Sequence, residues 1–326
     1  MSQELTFTVQ RALPVNLTPA DQPLFEQAFS LSLPPAGVQV VENAVILKDT
    51  IFSPGTLKFY ITASHILPFT RQQALKRLSY YLRPFWRTAQ AIWITDEWSA
   101  EYFHWMTDAL TRLMAARLQG YNYPVVLPAH FRERPYITAS LEMLGYSAVY
   151  LERKRPLKAA SLVVPDHTAP TGNYNPALLG ELRRLFAPAT TVQPYRKVYV
   201  SRQRANRRRV LNEDTLLPVL QQAGFEIHCF EDYSLQEQRA IMQETKVLAG
   251  LHGAGLTNML FMPAGGQVLE IRNMGDTHNN CFFSMAGALG HAYYYVLADG
   301  TTADTYAADF RVDAGMLASV VKEMGK

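Results

Sequence analysis

The chain has 326 residues, 48% of them hydrophobic and 18% charged, with a formal net charge of +3. That length suits two domains, and the composition excludes a disordered or fibrous protein. The small net charge does not announce a nucleic-acid partner, which usually needs a concentrated basic footprint across a domain. No run approaches the roughly 18 consecutive apolar residues of a membrane-spanning helix, and Met1 to Leu5 lack the basic-then-apolar order of a signal peptide. A cytoplasmic location is the expectation. Two cysteines, Cys229 and Cys281, are too few to make a disulfide framework in a chain of this size.

Residues 1–90 form a β-rich, hairpin-like lead-in, with strand-like runs at Val38 to Val41 and Leu57 to Thr62 punctuated by Pro34-Pro35 and Pro54-Gly55. From Ala91 strands alternate with helices. Ala91 to Ile94 reads as a strand, Tyr102 to Leu118 as a helix, Tyr123 to Leu127 as a strand and Pro135 to Leu144 as a helix. Strands at Ala148 to Leu151 and Ser161 to Val164 follow, then a Pro/Thr/Gly/Asn-rich stretch from Pro165 to Pro176 and a helix from Ala177 to Phe186. This alternation implies βαβ units.

Prolines at 188 and 194 set the expected domain boundary, giving domains 1–190 and 191–326. The second restarts the alternation with strands at Lys197 to Val200, Glu226 to Phe230, Val247 to Leu251, Gln267 to Ile271 and Tyr293 to Leu297. Helices lie between them, and a final helix near Met316 to Met324 places Leu317, Val320, Val321 and Met324 on one face. The expected architecture is α/β, with two Rossmann-like halves facing each other across a cleft.

Three stretches carry chemistry. In the first, the apolar run Val247 to Leu251 enters the turn His252-Gly253-Ala254-Gly255, which opens a helix at Leu256 and continues through Asn258. Backbone N–H groups and the positive end of a helix point above such a turn, which makes it an anion cradle. In the second, the strand Val198 to Val200 runs into Ser201-Arg202-Gln203-Arg204-Ala205-Asn206-Arg207-Arg208-Arg209, with Asn212-Glu213 close behind. Guanidinium forks match diphosphate oxygens, and strand ends in α/β sheets are where ligands bind. In the third, the helix around Tyr102 to Leu113 sets His104 and Asp108 four residues apart on a polar stripe with Thr111 and Arg112. Met106, Leu110 and Leu113 are left to form its buried face. Taken singly, each stretch is also compatible with an ordinary structural role: a tight turn, a solvated basic loop, a packed histidine.

Together these stretches resemble glycosyltransferase family 61, whose bacterial members include capsular-polysaccharide biosynthesis proteins. The resemblance runs over roughly residues 98 to 300 and rests on several ordered motifs. These are Tyr102 to Asp108, Val198 to Arg202 with Arg207, Arg208, Asn212 and Glu213, Gly224 to Glu226, Ser234 to Gln238, and His252 to Pro263 through Glu270. It implies a GT-B fold, a nucleotide-sugar donor held mainly by the second half, and an acceptor held mainly by the first. It also implies inversion at the anomeric carbon without a metal. The absence of any D-x-D dyad agrees with that last expectation. UDP is the implied nucleotide, with N-acetylglucosamine or a pentose as the sugar, and no further cofactor.

On this reading Asp108 and His104 are the candidate bases, Asp108 favoured. Ser201, Arg202, Arg207, Arg208, Asn212, Glu213, His252, Gly253, Ala254, Gly255, Leu256 and Asn258 hold the donor, and Glu270 meets its ribose hydroxyls. The expected partners are the nucleotide-sugar donor and a glycan, lipid-linked or protein acceptor, in bacterial surface-polysaccharide synthesis. Peripheral contact with the inner membrane face, through exposed arginines or the aromatic run Tyr80 to Arg87, belongs to the same expectation. A serine hydrolase is the rival enzyme class, but no G-x-S-x-G elbow exists in the chain. A non-catalytic nucleotide-sugar binder or scaffold is the other alternative, disfavoured by the His104 and Asp108 pair.

Overall fold

The computed structural model describes residues 6–63, 69–152, 155–187, 193–205, 207–302 and 304–325. Two compact units emerge, one built on residues 34–170 and the other on residues 7–33 together with 171–326. Both are mixed α/β. The chain starts with the antiparallel hairpin β1 (Phe7–Gln10) and β2 (Ser30–Leu33), part of the second unit.

The first unit contains β3 (Val38–Glu42), β4 (Val45–Leu47), β5 (Thr50–Ser53), β6 (Lys58–Phe59), α1 (Arg71–Leu78) and β7 (Trp86–Ile92). After β7 come α2 (Tyr102–His104), a π-helical turn over Trp105–Ala109, α3 (Leu110–Leu118), β8 (Val125–Leu127), α4 (Pro135–Met143), β9 (Ala148–Tyr150) and β10 (Leu157–Pro165). The sheet order is β6-β5-β4-β10-β7-β8-β9, with β3 also paired to β10. The β10, β7, β8 and β9 strands run parallel, while β3 to β6 extend the sheet with antiparallel pairings. The expected hairpins thus exist at β4-β5 and β5-β6, whereas the expected strand at Val38 is stitched to the distant segment Ser161 to Pro165. In the aromatic run, Tyr80 and Phe85 pack beside the small cluster of Val45, Leu47 and Phe52, while Leu82 is exposed.

The second unit continues with α5 (Pro176–Phe186), β11 (Arg196–Val200), α6 (Glu213–Gln222), β12 (Phe225–His228), α7 (Leu235–Gln243) and β13 (Thr245–Leu251). A 3₁₀ segment over Ala254–Phe261 leads to β14 (Gln267–Asn273), α8 (Cys281–Leu289), β15 (Ala292–Gly300), β16 (Phe310–Arg311) and α9 (Ala314–Met324). Its sheet order is β12-β11-β13-β14-β15-β16, all parallel except the β16 edge. Central β13 and β14 are buried on both faces, which is why they read as continuous apolar runs rather than alternating ones. Local signals agree with the elements. Ser234 and Glu237 form a capping box on α7, Asp313 caps α9, and Gly290 ends α8 in the left-handed conformation at φ 70°. The apolar face expected of α9 is buried as Leu317, Val320, Val321 and Met324.

The division differs from the 190/191 boundary expected from the prolines, part of which, 188–192, lies outside the described residues. It falls at 170/171 because α5 packs with the second unit: Phe186 meets Phe261 edge-on with ring centres 5.4 Å apart, and Arg183 Nη1 donates to the Leu289 carbonyl. The lead-in is divided as well. Phe25 sits among Phe283, Tyr293 and Tyr295, at ring distances of 5.4, 6.0 and 4.9 Å. Val15 N–H donates to the Tyr293 carbonyl at 2.8 Å, and Asn16 exchanges hydrogen bonds with the backbone of Tyr295. Those contacts draw residues 7–33 into the second unit.

Among the described residues no helix is long and apolar enough to cross a membrane. Cys229 and Cys281 are free thiols.

Candidate functional site

In the second sheet the sequence order of the five parallel strands is 2-1-3-4-5, so the winding direction reverses between β11 and β13. Connections leave these two strands toward opposite faces, opening a crevice outside their carboxyl ends, where α/β sheets bind ligands. The carboxyl end of β11 continues into Ser201 and Arg202, and that of β13 into His252 and Gly253. Topology thus brings the arginine loop and the glycine turn to one place.

The arginines separate by their partners. Arg204 pairs with Asp232, and Arg209 with Asp309 at 3.6 Å. Arg202, Arg207 and Arg208 form no ion pair with a carboxylate among the described residues; Asn206, within this loop, lies outside them. Arg202 Nε donates to the Arg208 carbonyl at 2.7 Å and its Nη2 to that of Arg207 at 2.9 Å, folding the loop back over the strand end. Arg208 adopts a left-handed backbone (φ 56°), and its Nε is buried with no hydrogen-bond partner. Burial, together with the like charges of Arg202 and Arg207, brings the Arg208 guanidinium down to about 10. Burial lowers Arg202 too. The carboxylates of Glu231 and Glu213 favour the Arg202 charge from a distance without pairing with it, so the loop keeps an excess of positive charge that an anion would complement.

The glycine turn adds donors. Gly253, Ala254 and Gly255 stand at the start of the 3₁₀ segment, and their N–H groups have no partner among the described residues. A Cβ on Gly253 would lie 2.8 Å from Arg202 Nη1, so the missing side chain is what lets the guanidinium rest on this turn. Gly255 has a different reason: its Cβ would meet Val200 Cγ1 at 2.8 Å, so it allows the segment to pack on β11. Leu256 is buried against Gly250. Asn258 turns into the protein, donating to Gln238 Oε1 at 3.0 Å, and is 1% exposed.

His252 is buried, with Nδ1 bonded to Glu270 Oε1, while Glu270 Oε2 accepts from Tyr293 Oη at 2.5 Å. Burial, with the Glu270 charge beside it, pushes the Tyr293 phenol well above its ordinary value, so it stays protonated and donates. Glu270, expected at the ribose hydroxyls, is placed inside the protein. It is 0% exposed and both its oxygens are engaged, so it orients His252 instead. Glu213, Ser201 and Asn212, also expected at the donor, have internal tasks. Glu213 is buried and accepts from Tyr199 Oη (2.8 Å), Ser201 Oγ (3.1 Å) and Arg202 N (3.4 Å), bracing the root of the arginine loop. Asn212 clasps the backbone of Val312 through both ends of its amide.

In the first unit, His104 Nδ1 lies 2.9 Å from Asp108 Oδ2, and Asp108 Oδ1 accepts from Thr107 Oγ1 at 3.1 Å. The π-helical turn widens the helix at this pair. Thr107 and Thr111 accompany it by returning their hydroxyls to the carbonyls of Phe103 and Thr107. The ring of Trp98 stands 5.5 Å from that of His104. Arg112, expected on the polar stripe, is instead fully buried. It donates to the carbonyls of Pro165, Ile94 and Ala63, and burial brings it down to about 10.

A second histidine–carboxylate pair, absent from the sequence reading, lies at the carboxyl ends of β7 and β10. Asp96 accepts from His167 Nε2 at 3.0 Å, from Ser99 Oγ at 2.7 Å, and from the N–H groups of Trp98 and Ser99 at 2.9 Å each. Burial opposes its ionisation. The hydrogen bonds from His167 and Ser99 and the charge of Arg112 outweigh that and hold the carboxyl well below the usual range. The signal was present as a D-x-x-S turn directly after a strand. Among the described residues no group of three or more His, Cys, Asp or Glu side chains is placed to hold a metal ion.

The second unit is thus a doubly wound α/β body that brings together, at its switch point, a cationic loop whose Arg202, Arg207 and Arg208 form no carboxylate ion pair among the described residues and a buried histidine–carboxylate pair. The family model for glycosyltransferase 61 matches residues 102–269, just over half of the chain. The chain belongs to glycosyltransferase family 61. It is also similar to EGF domain-specific O-linked N-acetylglucosamine transferases. The similarity is 38% identity over 104 residues for the Drosophila melanogaster protein, 31% of this chain and 19% of that one. For Mus musculus it is 35% over 92 residues, and for Bos taurus 32% over 91, each covering 26% of this chain and 17% of the relative. The chain therefore aligns with less than a fifth of the length of these curated relatives.

Proposed function

We propose that the chain is an inverting glycosyltransferase whose second unit binds a UDP-sugar and whose first unit supplies the base for the acceptor. The observation that carries this reading is the trio Arg202, Arg207 and Arg208, without a carboxylate ion pair among the described residues at the β11/β13 switch point and leaving Arg208 Nε unmet. A diphosphate brings the missing charge. We read the two units as the halves of a GT-B enzyme, with N-acetylglucosamine or a pentose as the transferred sugar. The names of the relatives support N-acetylglucosamine.

In the transfer, the acceptor oxygen attacks the anomeric carbon as its proton leaves to a base and the sugar–phosphate C–O bond breaks on the opposite face. Both oxygens of Asp108 are already hydrogen-bonded, whereas His104 Nε2 has no partner among the described residues. This geometry favours His104 as the base and Asp108 as its orienter, reversing the preference drawn from the sequence. The departing diphosphate is stabilised by the three guanidinium groups and the N–H groups of the Gly253 turn, with His252 donating to a phosphate oxygen. These fixed charges do the work a metal performs in other transferases, so turnover is expected to survive chelation. The setting is bacterial surface-polysaccharide synthesis in the cytoplasm, with a glycan or lipid-linked acceptor at the inner membrane face.

The test is a thermal-shift series with UDP, GDP, CMP and several UDP-sugars, because a ligand of the folded state raises the melting temperature. UDP and one UDP-sugar should shift the melt, with UDP released on addition of acceptor in the presence of EDTA. A shift with GDP but not UDP would refute the base assignment, and no shift with any nucleotide would refute the donor reading.

A further inference from the structure

The first unit holds a cavity of about 490 Å³ beyond the carboxyl ends of β7, β8 and β9, a size usual for small-molecule sites. Trp93 and Thr95 line it. They follow β7 two residues apart in the chain, and each is 1% exposed. Trp93 Nε1 and Thr95 Oγ1 are buried with no hydrogen-bond partner among the described residues. Buried polar groups are nearly always satisfied, so two orphaned groups lining one cavity point to a ligand that accepts from an indole N–H and exchanges a hydrogen bond with a hydroxyl.

The charges around the cavity say what kind of ligand. Arg77 Nε is 2.8 Å from Asp49 Oδ1, Lys48 Nζ is 3.8 Å from Asp49 Oδ2, and Arg155 Nη1 is 3.0 Å from Glu152 Oε1. Lys48 and Arg77 thus share Asp49, Arg155 has Glu152, and Asp96 and Glu97 bring further negative charge to the lining. No phosphate or carboxylate ligand is called for, in contrast to the arginine loop of the second unit, whose Arg202, Arg207 and Arg208 form no carboxylate ion pair among the described residues. The aromatic rings of Tyr80, Trp93, His130 and Phe131 and the apolar side chain of Leu151 also line it. A compact, neutral molecule with apolar faces and many hydroxyls fits this chemistry.

We propose that this cavity seats a neutral sugar ring, so that the acceptor is a carbohydrate rather than a protein. The role as acceptor site rests on the glycosyl-transfer reading; the binding itself does not.

Isothermal titration with cellobiose, lactose, N,N′-diacetylchitobiose, a glucuronate-containing disaccharide and a folded EGF-like module tests it, using the full chain and its Thr95→Val and Trp93→Phe variants. At least one neutral disaccharide should bind, the glucuronate compound more weakly. Each variant should weaken binding by roughly threefold to tenfold, the range for one lost hydrogen bond. UDP binding should be unchanged, and Thr95→Val should melt at or above the wild-type temperature because its hydroxyl serves no partner in the protein. A clear drop in the Thr95→Val melting temperature would overturn the proposal. So would wild-type sugar affinity in both variants, no disaccharide binding, or binding of the EGF-like module alone. Absence of sugar binding by the wild-type chain with UDP binding intact would refute the cavity assignment alone, whereas sugar binding by the wild-type chain without any nucleotide binding would refute the donor reading and leave the cavity standing.

Discussion

Replacing Arg208 by methionine should make the protein more stable and less able to bind its donor. Burial and the charges of Arg202 and Arg207 bring its guanidinium to about 10, about 2.5 pH units below the ordinary value for arginine. At about 1.36 kcal/mol per pH unit this is a cost of about 3 kcal/mol, reduced by solvent screening at the exposed edge of the side chain to about 1.5 to 2 kcal/mol. The sign follows from proton binding. At neutral pH the group is protonated in both states, so the cost is fully present; it is relieved as pH rises through about 10, where the folded state releases the proton first. Methionine keeps an unbranched stem at the same backbone angle and removes the charge. With about 2 to 4 °C per kcal/mol for a unit of this size, the melting temperature should rise by about 3 to 8 °C. Titration with UDP should show the reverse, with affinity falling by about tenfold to a hundredfold for one lost charge-assisted contact. Differential scanning calorimetry and isothermal titration on the same preparation measure both. A variant that melts below the wild type, or binds UDP equally well, would refute the claim that Arg208 is held in readiness for an anion.

His104→Ala and Asp108→Asn should each lower kcat by about a hundredfold or more while leaving the UDP dissociation constant unchanged, as expected for a base and its orienter; near-normal turnover in both would remove the pair from the mechanism. Gly253→Ala and Gly255→Ala should separate two functions of one turn. The first displaces Arg202 and weakens UDP binding with little change in melting, whereas the second drives a methyl into Val200 and costs about 1 to 3 kcal/mol of stability, read by urea denaturation. Asp96→Asn should flatten the acid limb of stability. Because the folded carboxyl is held low, its contribution is complete above about pH 5 and is lost as pH falls below about 4. Melts at pH 3, 5 and 7 should therefore show wild type and variant converging in acid.

The alternation of strands and helices was legible because each buried parallel strand is a short apolar run bounded by turn residues, as in Val247 to Leu251, and because α9 repeats its apolar residues at helical spacing. The partnering of distant segments was not. Nothing local in Val38 to Glu42 announces that it pairs with Ser161 to Pro165, and nothing in Phe25 announces its aromatic neighbours Phe283, Tyr293 and Tyr295. The site shows the same limit. Residue type and strand-end position located the arginine loop and the histidine turn, but which groups are free and which are occupied depends on long-range hydrogen bonds. Glu270 and Glu213 look like ligand contacts in sequence and are buried supports in the structure. Asp96 and His167 are 71 positions apart and meet only because β7 and β10 are neighbours in the sheet.

The placement of residues 7–33 bears on how such enzymes diversify. Because the second unit takes its first strand pair and Phe25 from ahead of the first unit, its sequence is interrupted by an entire insert. A single genetic crossover near 170/171 would join a foreign second unit to a strap evolved for another, leaving Phe25 and Asn16 facing the wrong partners. Exchange of specificity between relatives by swapping halves therefore requires two coordinated joins. A fragment starting at residue 171 would lack part of its own packed interior.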